Sequence, residues 1–105
     1  MNISVEVSYY PLKVDYIHPI KDFIARMNRY ENLKVETNNM STQVFGEYFE
    51  VMDALRDEIY KSFDLPHSIS VMKIINADLR SARIELQAFF DVFYRNILNT
   101  TWLEA

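Results

Sequence analysis

The 105-residue sequence contains no cysteine and a single glycine, Gly46. Lack of cysteine excludes disulfides, thiolate metal sites and a thiol nucleophile, and nothing argues for an oxidising compartment. One glycine excludes a glycine-rich phosphate loop, which needs backbone that approaches the anion closely and visits positive φ. Basic residues are also few: 11 against 15 acidic, never two in a row, for a formal net charge of −4. Such a chain repels phosphate backbones, so neither nucleic acid nor a membrane surface is expected as a partner. No uncharged apolar run approaches the ~20 residues that span a bilayer. The N-terminal MNISVEVSYYPLKVD lacks the basic-then-apolar order of a signal peptide. A cytoplasmic protein is expected.

What is present is ordinary globular composition, 50% hydrophobic and 25% charged, at a length that suits one domain. Ile3, Val5, Val7 and Tyr9 alternate with Ser4, Glu6, Ser8 and Tyr10, the pattern of a half-buried strand closed by Pro11. Pro19 suits a first helical turn, and Ile20, Phe23, Ile24 and Met27 then recur at helical spacing with Lys21, Asp22 and Arg26 outward; a helix is expected over about 17–30. Leu33, Val35 and Thr37 mark a second strand, Asn38-Asn39 a turn, and residues 41–46 a third strand that Gly46 ends. Val51, Met52, Leu55, Ile59 and Phe63 mark a second helix, with Glu47, Glu50 and Asp53 near its positive end. Pro66 stops it, and residues 68–76 read as a fourth strand.

Strand, helix, strand, strand, helix, strand, joined by right-handed crossovers, closes as an α+β ferredoxin-like βαββαβ fold. Its four-stranded antiparallel sheet carries both helices on one face. Residues 1–80 form this domain. Residues 81–105 add a C-terminal helical extension, with Leu86, Phe89, Phe90, Phe93 and Ile97 in one stripe over about 82–99. Because two helices cover only one sheet face and strand four carries apolar residues on both, association is expected.

The densest polar cluster is Thr37, Asn38, Asn39, Ser41, Thr42, Gln43 and Glu47, with Tyr9, Tyr10, Phe45 and Tyr48 as aromatic surface. Placed polar groups against an apolar wall are the makings of a small-molecule pocket, although Thr, Ser and Asn are also ordinary hairpin residues. His18 and His67 sit beside prolines in connecting segments, outside any triad pattern. No His or Glu spacing suits a metal, and no catalytic residue, metal or cofactor is assigned. An RNA-recognition reading fails because Glu6, Glu36, Gln43 and Glu47 surround the candidate stacking rings Phe45 and Tyr10.

Residues 35–48, Val-Glu-Thr-Asn-Asn-Met-Ser-Thr-Gln-Val-Phe-Gly-Glu-Tyr, resemble the thiamine-binding protein family, as do Val5–Leu12, Ile20–Ile24 and Val71–Ile74. The resemblance covers about residues 3–80. It implies a ferredoxin-like domain that binds thiamine or its hydroxymethylpyrimidine part without turnover and assembles by sheet-to-sheet contact into dimers or tetramers. The ligand residues it implies are Thr37, Asn38, Ser41, Thr42, Gln43 and Glu47, with Phe45 and Tyr9 as nearby rings; a carboxylate and an aromatic face would both favour the cationic thiazolium. The competing expectation is a structural or regulatory interaction module whose last helix docks a partner. An acyl-phosphate hydrolase on the same scaffold ranks third, since residues 8–16 offer no phosphate loop with an arginine.

Overall fold

The computed structural model describes residues 1–80 together with positions 92 and 95. The expected helix over 82–99 and the extension 81–105 lie outside them. Six elements follow one another: β1 (Asn2–Pro11), α1 (Ile17–Met27), β2 (Lys34–Thr37), β3 (Thr42–Glu47), α2 (Tyr48–Ser62) and β4 (Ser68–Ile75). The strands form one sheet in the order β2-β3-β1-β4, and every neighbouring pair is antiparallel. This is the ferredoxin-like α+β arrangement.

Register sorts the side chains between two faces. Val5 lies opposite Val44 on one side and Ile74 on the other, and Val7 lies opposite Thr42 and Met72. These residues look towards the helices, where Ile3, Val5, Val7, Val44, Phe23, Met27, Val51 and Leu55 form the buried core. The opposite face carries Ser4, Glu6, Ser8 and Tyr10 from β1, Gln43 and Phe45 from β3, and Ile69, Val71, Lys73 and Ile75 from β4, because residues paired across a ladder share a face.

Three expectations are corrected. Helix α1 stops at Met27 rather than near residue 30. Asn28 turns its side-chain Nδ2 back onto the Ile24 carbonyl at 2.8 Å, and Arg29 and Tyr30 bond three residues back, to Arg26 and Met27. Arg26, expected to point outward, leans over the core edge to α2. Gly46 does not end β3 but sits inside it, next to the capping Glu47. A Cβ on Gly46 would lie 2.7 Å from Leu33 Cδ2 and 3.2 Å from Val51 Cγ2, so the glycine is there for close approach. His67 enters β4 at φ 63°, an uncommon backbone for a non-glycine residue, and its carbonyl accepts from Leu12 N–H at 3.1 Å.

Gly46→Ala should therefore destabilise the protein by about 1–3 kcal/mol through overpacking. Urea denaturation of Gly46→Ala, Leu33→Ala and the double variant checks the cause. If the contact with Leu33 is responsible, the double variant loses less than the two single losses together.

Candidate functional site

Between the helix-side surface of β1, the inner face of α1 and the β2–β3 loop lies a cavity of about 280 Å³. Its apolar wall is made by Tyr9, Tyr16, Ile20, Phe23, Ile24 and Met40, and its polar rim by Thr37, Asn38, Asn39, Ser41 and Thr42. Each element supplies its part for a local reason. The alternation of β1 turns Val7 and Tyr9 inward, and the Tyr9 and Phe23 rings pack at 5.8 Å between centroids. The β2–β3 turn is shaped by Asn38, whose Oδ1 accepts from the backbone N–H groups of Met40 (2.8 Å) and Ser41 (3.0 Å).

Most of the rim is already engaged. The Thr37 and Thr42 hydroxyls bond one another at 3.2 Å. The Ser41 hydroxyl donates to Glu6 Oε2 at 3.0 Å and accepts from Gln43 Nε2 at 2.8 Å. The Tyr9 hydroxyl is spent on the Ser62 carbonyl at 3.0 Å, so only its ring serves the cavity. Asn38 Nδ2 and the Asn39 amide are left, among the described residues, as uncommitted donors and acceptors.

Of the eight residues expected to hold a ligand, Tyr9, Thr37, Asn38, Ser41 and Thr42 line this cavity. The other three do not join them. Gln43 and Phe45 alternate to the outer sheet face and line a separate recess of about 460 Å³ with Ser4, Glu6, Glu36, Lys73, Ile75, Leu79 and Arg80. Glu47 caps α2 instead: its Oε2 accepts from the N–H groups of Phe49 (2.9 Å) and Glu50 (3.1 Å). It stands five residues along β3 from Thr42, about 16 Å at strand rise, so it brings no carboxylate to the cavity. Tyr48 follows it there, its ring edge-on to Phe49.

The wall residues Tyr16, Ile20, Phe23, Ile24 and Met40 were not among the expected site residues. Met40 is an apolar residue in a polar turn, and its side chain is largely exposed at the cavity edge. The outer recess is partly closed by the chain after β4. Ser4 Oγ donates to the Ala77 carbonyl at 2.7 Å and accepts from Leu79 N–H at 3.0 Å. Hydrogen bonds from Arg80 hold the Asp78 carboxyl below its ordinary pKa.

Outside the cavity lining, α1 is tied to α2 by a buried polar cluster. Arg26 places Nε 3.3 Å from Oε1 of Glu58, a residue 3% exposed, and its Nη2 donates to Ser62 Oγ (2.5 Å) and to the Glu58 carbonyl (3.2 Å). Lys61 Nζ approaches the same carboxylate at 3.1 Å, and the Tyr30 hydroxyl donates to it at 3.3 Å. Burial, then the Glu58 charge, pushes the Tyr30 pKa up.

No family model matches the sequence, and no curated protein matches it. Solved structures do. A hypothetical protein from Methanocaldococcus jannascii is 27% identical, with a TM-score of 0.66 over 86% of this chain and 95% of that one. A protein from Streptococcus pneumoniae is 22% identical, with a TM-score of 0.71 over 83% and 99%. A candidate thiamine biosynthesis/salvage protein from Thermotoga maritima is 16% identical, with a TM-score of 0.71 over 85% and 99%. These likenesses support the fold.

Arg26→Met should cost about 3 kcal/mol, since it leaves the buried Glu58 carboxylate to the exposed Lys61 ammonium and the Tyr30 hydroxyl. Lys61→Met removes a partner that is 60% exposed and should cost no more than about 1 kcal/mol. Chemical denaturation of both variants tests the ranking.

Proposed function

We propose that this protein is a non-catalytic, homo-oligomeric binder of a small flat nitrogen heterocycle, of the class of thiamine or its pyrimidine half, held in the cavity under α1. The observation that carries this reading is the meeting of five of the eight expected ligand residues with a ring-lined wall in one cavity. At about 280 Å³ the space is at the small end of ligand sites. It suits one heteroaromatic ring, with a second ring reaching the mouth, and is too small to enclose a nucleotide.

The chemistry is mainly that of an apolar slot. A pyrimidine ring gains by burying its faces against Phe23, Ile20 and Ile24, while the Asn38 and Asn39 amides offer donors and acceptors to its ring nitrogens and exocyclic amine. No carboxylate among the described residues lines the cavity, so a thiazolium would be favoured there by aromatic faces rather than by an ion pair. Tyr10, Ile69 and Val71, each about half exposed on the outer sheet face, support self-association. No helix among the described residues is long and apolar enough to cross a membrane.

Calorimetric titration with thiamine and with hydroxymethylpyrimidine tests the reading. Saturable heat is expected with the intact protein, and Asn39→Ala or Tyr16→Ala should weaken binding about tenfold or more, equivalent to about 1.4 kcal/mol. Glu47→Ala should leave affinity unchanged while lowering stability by about 0.5–2 kcal/mol through the lost cap. Silence with both compounds would sink the proposal. Binding that survives Asn39→Ala but disappears with Gln43→Ala would move the site to the outer recess.

A further inference from the structure

The recess on the outer face of the sheet, at about 460 Å³, is larger than the cavity under α1, and the two share no lining residue. Two transverse rows of the sheet make its floor. Register sets Glu36 of β2 beside Gln43 of β3, then Glu6 of β1 and Lys73 of β4. The next row sets Phe45 beside Ser4 and Ile75. Phe45 is 7% exposed, so this part of the floor is a nearly buried ring. The chain after β4 supplies a wall. Ser4 Oγ ties down Ala77 and Leu79, and Arg80 is locked to the Asp78 carboxylate through Nε (2.9 Å) and Nη2 (2.6 Å). A walled hollow with an apolar floor and a few placed polar groups has the form of a small-molecule site.

The hydrogen bonds around the floor decide which groups are left over. A carboxylate only accepts, so the Ser41 hydroxyl donates to Glu6 Oε2 (3.0 Å) and must accept from Gln43 (2.8 Å). That fixes the Gln43 amide with Nε2 towards Ser41. Its Oε1 is thereby an acceptor with no donor among the described residues. Glu36, next to it in the row, is an exposed carboxylate with neither a hydrogen bond nor an ion pair from its side chain among those residues. The two cations, by contrast, are matched: Lys73 Nζ stands 3.7 Å from Glu6 Oε1, and Arg80 is answered by Asp78. Glu36 carries the one charge that is not.

We propose that this recess is a second ligand site, for a single primary ammonium group borne on an apolar body. An ammonium presents three N–H donors. Glu36, Gln43 and Glu6 offer it oxygen acceptors from three neighbouring strands, ~4.8 Å apart, and Glu36 gains the counter-charge it lacks. The apolar body then lies along Phe45, Ile75 and Leu79, where an aromatic ring also favours the cation beside it. A formal net charge of −4 on the whole chain adds a weak general attraction for cations.

The far end of the row narrows the class. Lys73 repels a second ammonium, which disfavours diamines and polyamines. It attracts a carboxylate, so an amino acid satisfies the same chemistry as a simple amine, with its second charge on Lys73. Tyr10 and Ile69, at the end of this face that supports self-association, lie six residues along β1 and β4 from Ser4 and Ile75. That is ~20 Å at strand rise, so the recess occupies the other end. The site is on the opposite side of the sheet from the heterocycle cavity and does not depend on it.

Calorimetric titration of the intact chain with phenethylamine and with L-phenylalanine, each into the millimolar range, tests the proposal; N-acetylphenethylamine is the uncharged control. Saturable heat is expected with at least one charged probe, and binding of the acetylated one should be about tenfold weaker or absent. Glu36→Gln changes an exposed side chain, so circular dichroism should stay native while the charged probe binds about tenfold more weakly. Tighter binding of phenylalanine than of phenethylamine marks an amino acid as the source and the reverse a simple amine; either supports the site. Silence with both charged probes overturns the proposal, as does equal binding of the acetylated probe. Binding indifferent to Glu36→Gln but lost with Tyr16→Ala puts the amine in the other cavity and overturns it too. Thiamine heat without amine binding sinks this inference alone, and amine binding without thiamine or hydroxymethylpyrimidine heat sinks the heterocycle proposal alone.

Discussion

The ion pair between Arg26 and Glu58 is the constraint on which the rest of the arrangement depends. Glu58 is nearly inaccessible, and a buried carboxylate is tolerable only with its charge and lone pairs answered. Arg26 from the other helix and Lys61 answer its charge, the Tyr30 hydroxyl donates to Oε2, and Ser62 and the Tyr9 hydroxyl extend the network to the end of β1. The position of α1 over the sheet is thereby fixed by directed polar contacts as well as by the apolar packing of Phe23 and Met27, which alone would tolerate sliding. Ile20, Phe23 and Ile24 form the cavity wall from that same helix. A shift of α1 would close or open the cavity, so the network that ties α1 to α2 bears on its width.

The polar hairpin shows why a run of candidate residues in sequence does not translate into one site. Strand side chains alternate, so Thr42 and Val44 face the helices while Gln43 and Phe45 face away. The residues adjacent in sequence thus serve two recesses on opposite sides of the sheet. Among the described residues Ser41, in the loop before the strand, connects them: its rim hydroxyl donates to Glu6, which in turn lies 3.7 Å from Lys73 on the outer face. A change in the charge of the outer face therefore has a direct polar route to the rim of the inner cavity.

The strands and their faces were legible because β1 alternates without a break and the helices repeat their apolar positions at the helical period. The ferredoxin-like order followed from those elements and the handedness of crossovers. What was not legible depended on partners remote in sequence. Arg26 lies on the flank of the apolar stripe of α1, and nothing local shows that a glutamate 32 residues later waits for it. Gly46 reads as a strand breaker by its type, whereas its role comes from Leu33 and Val51 crowding the strand. Glu47 reads equally well as ligand or cap, and only the approach of the Phe49 and Glu50 N–H groups decides where its side chain goes.

The hydrogen bonds around the cavity limit what kind of selectivity it can have. Thr37 and Thr42 satisfy each other, Asn38 spends its carbonyl on the turn, and Ser41 is taken from both sides. A ligand that bonded to these groups would have to replace bonds already made, with little net gain. The internal bonds instead hold the rim in place before any ligand arrives, so less ordering is required on binding. Discrimination then rests on flatness and size, set by the ring and aliphatic walls, with the Asn39 amide and Asn38 Nδ2 as the groups that can still tell one heterocycle from another. A site of this construction separates a planar ring from a puckered one more strongly than it separates two planar rings with different substituents.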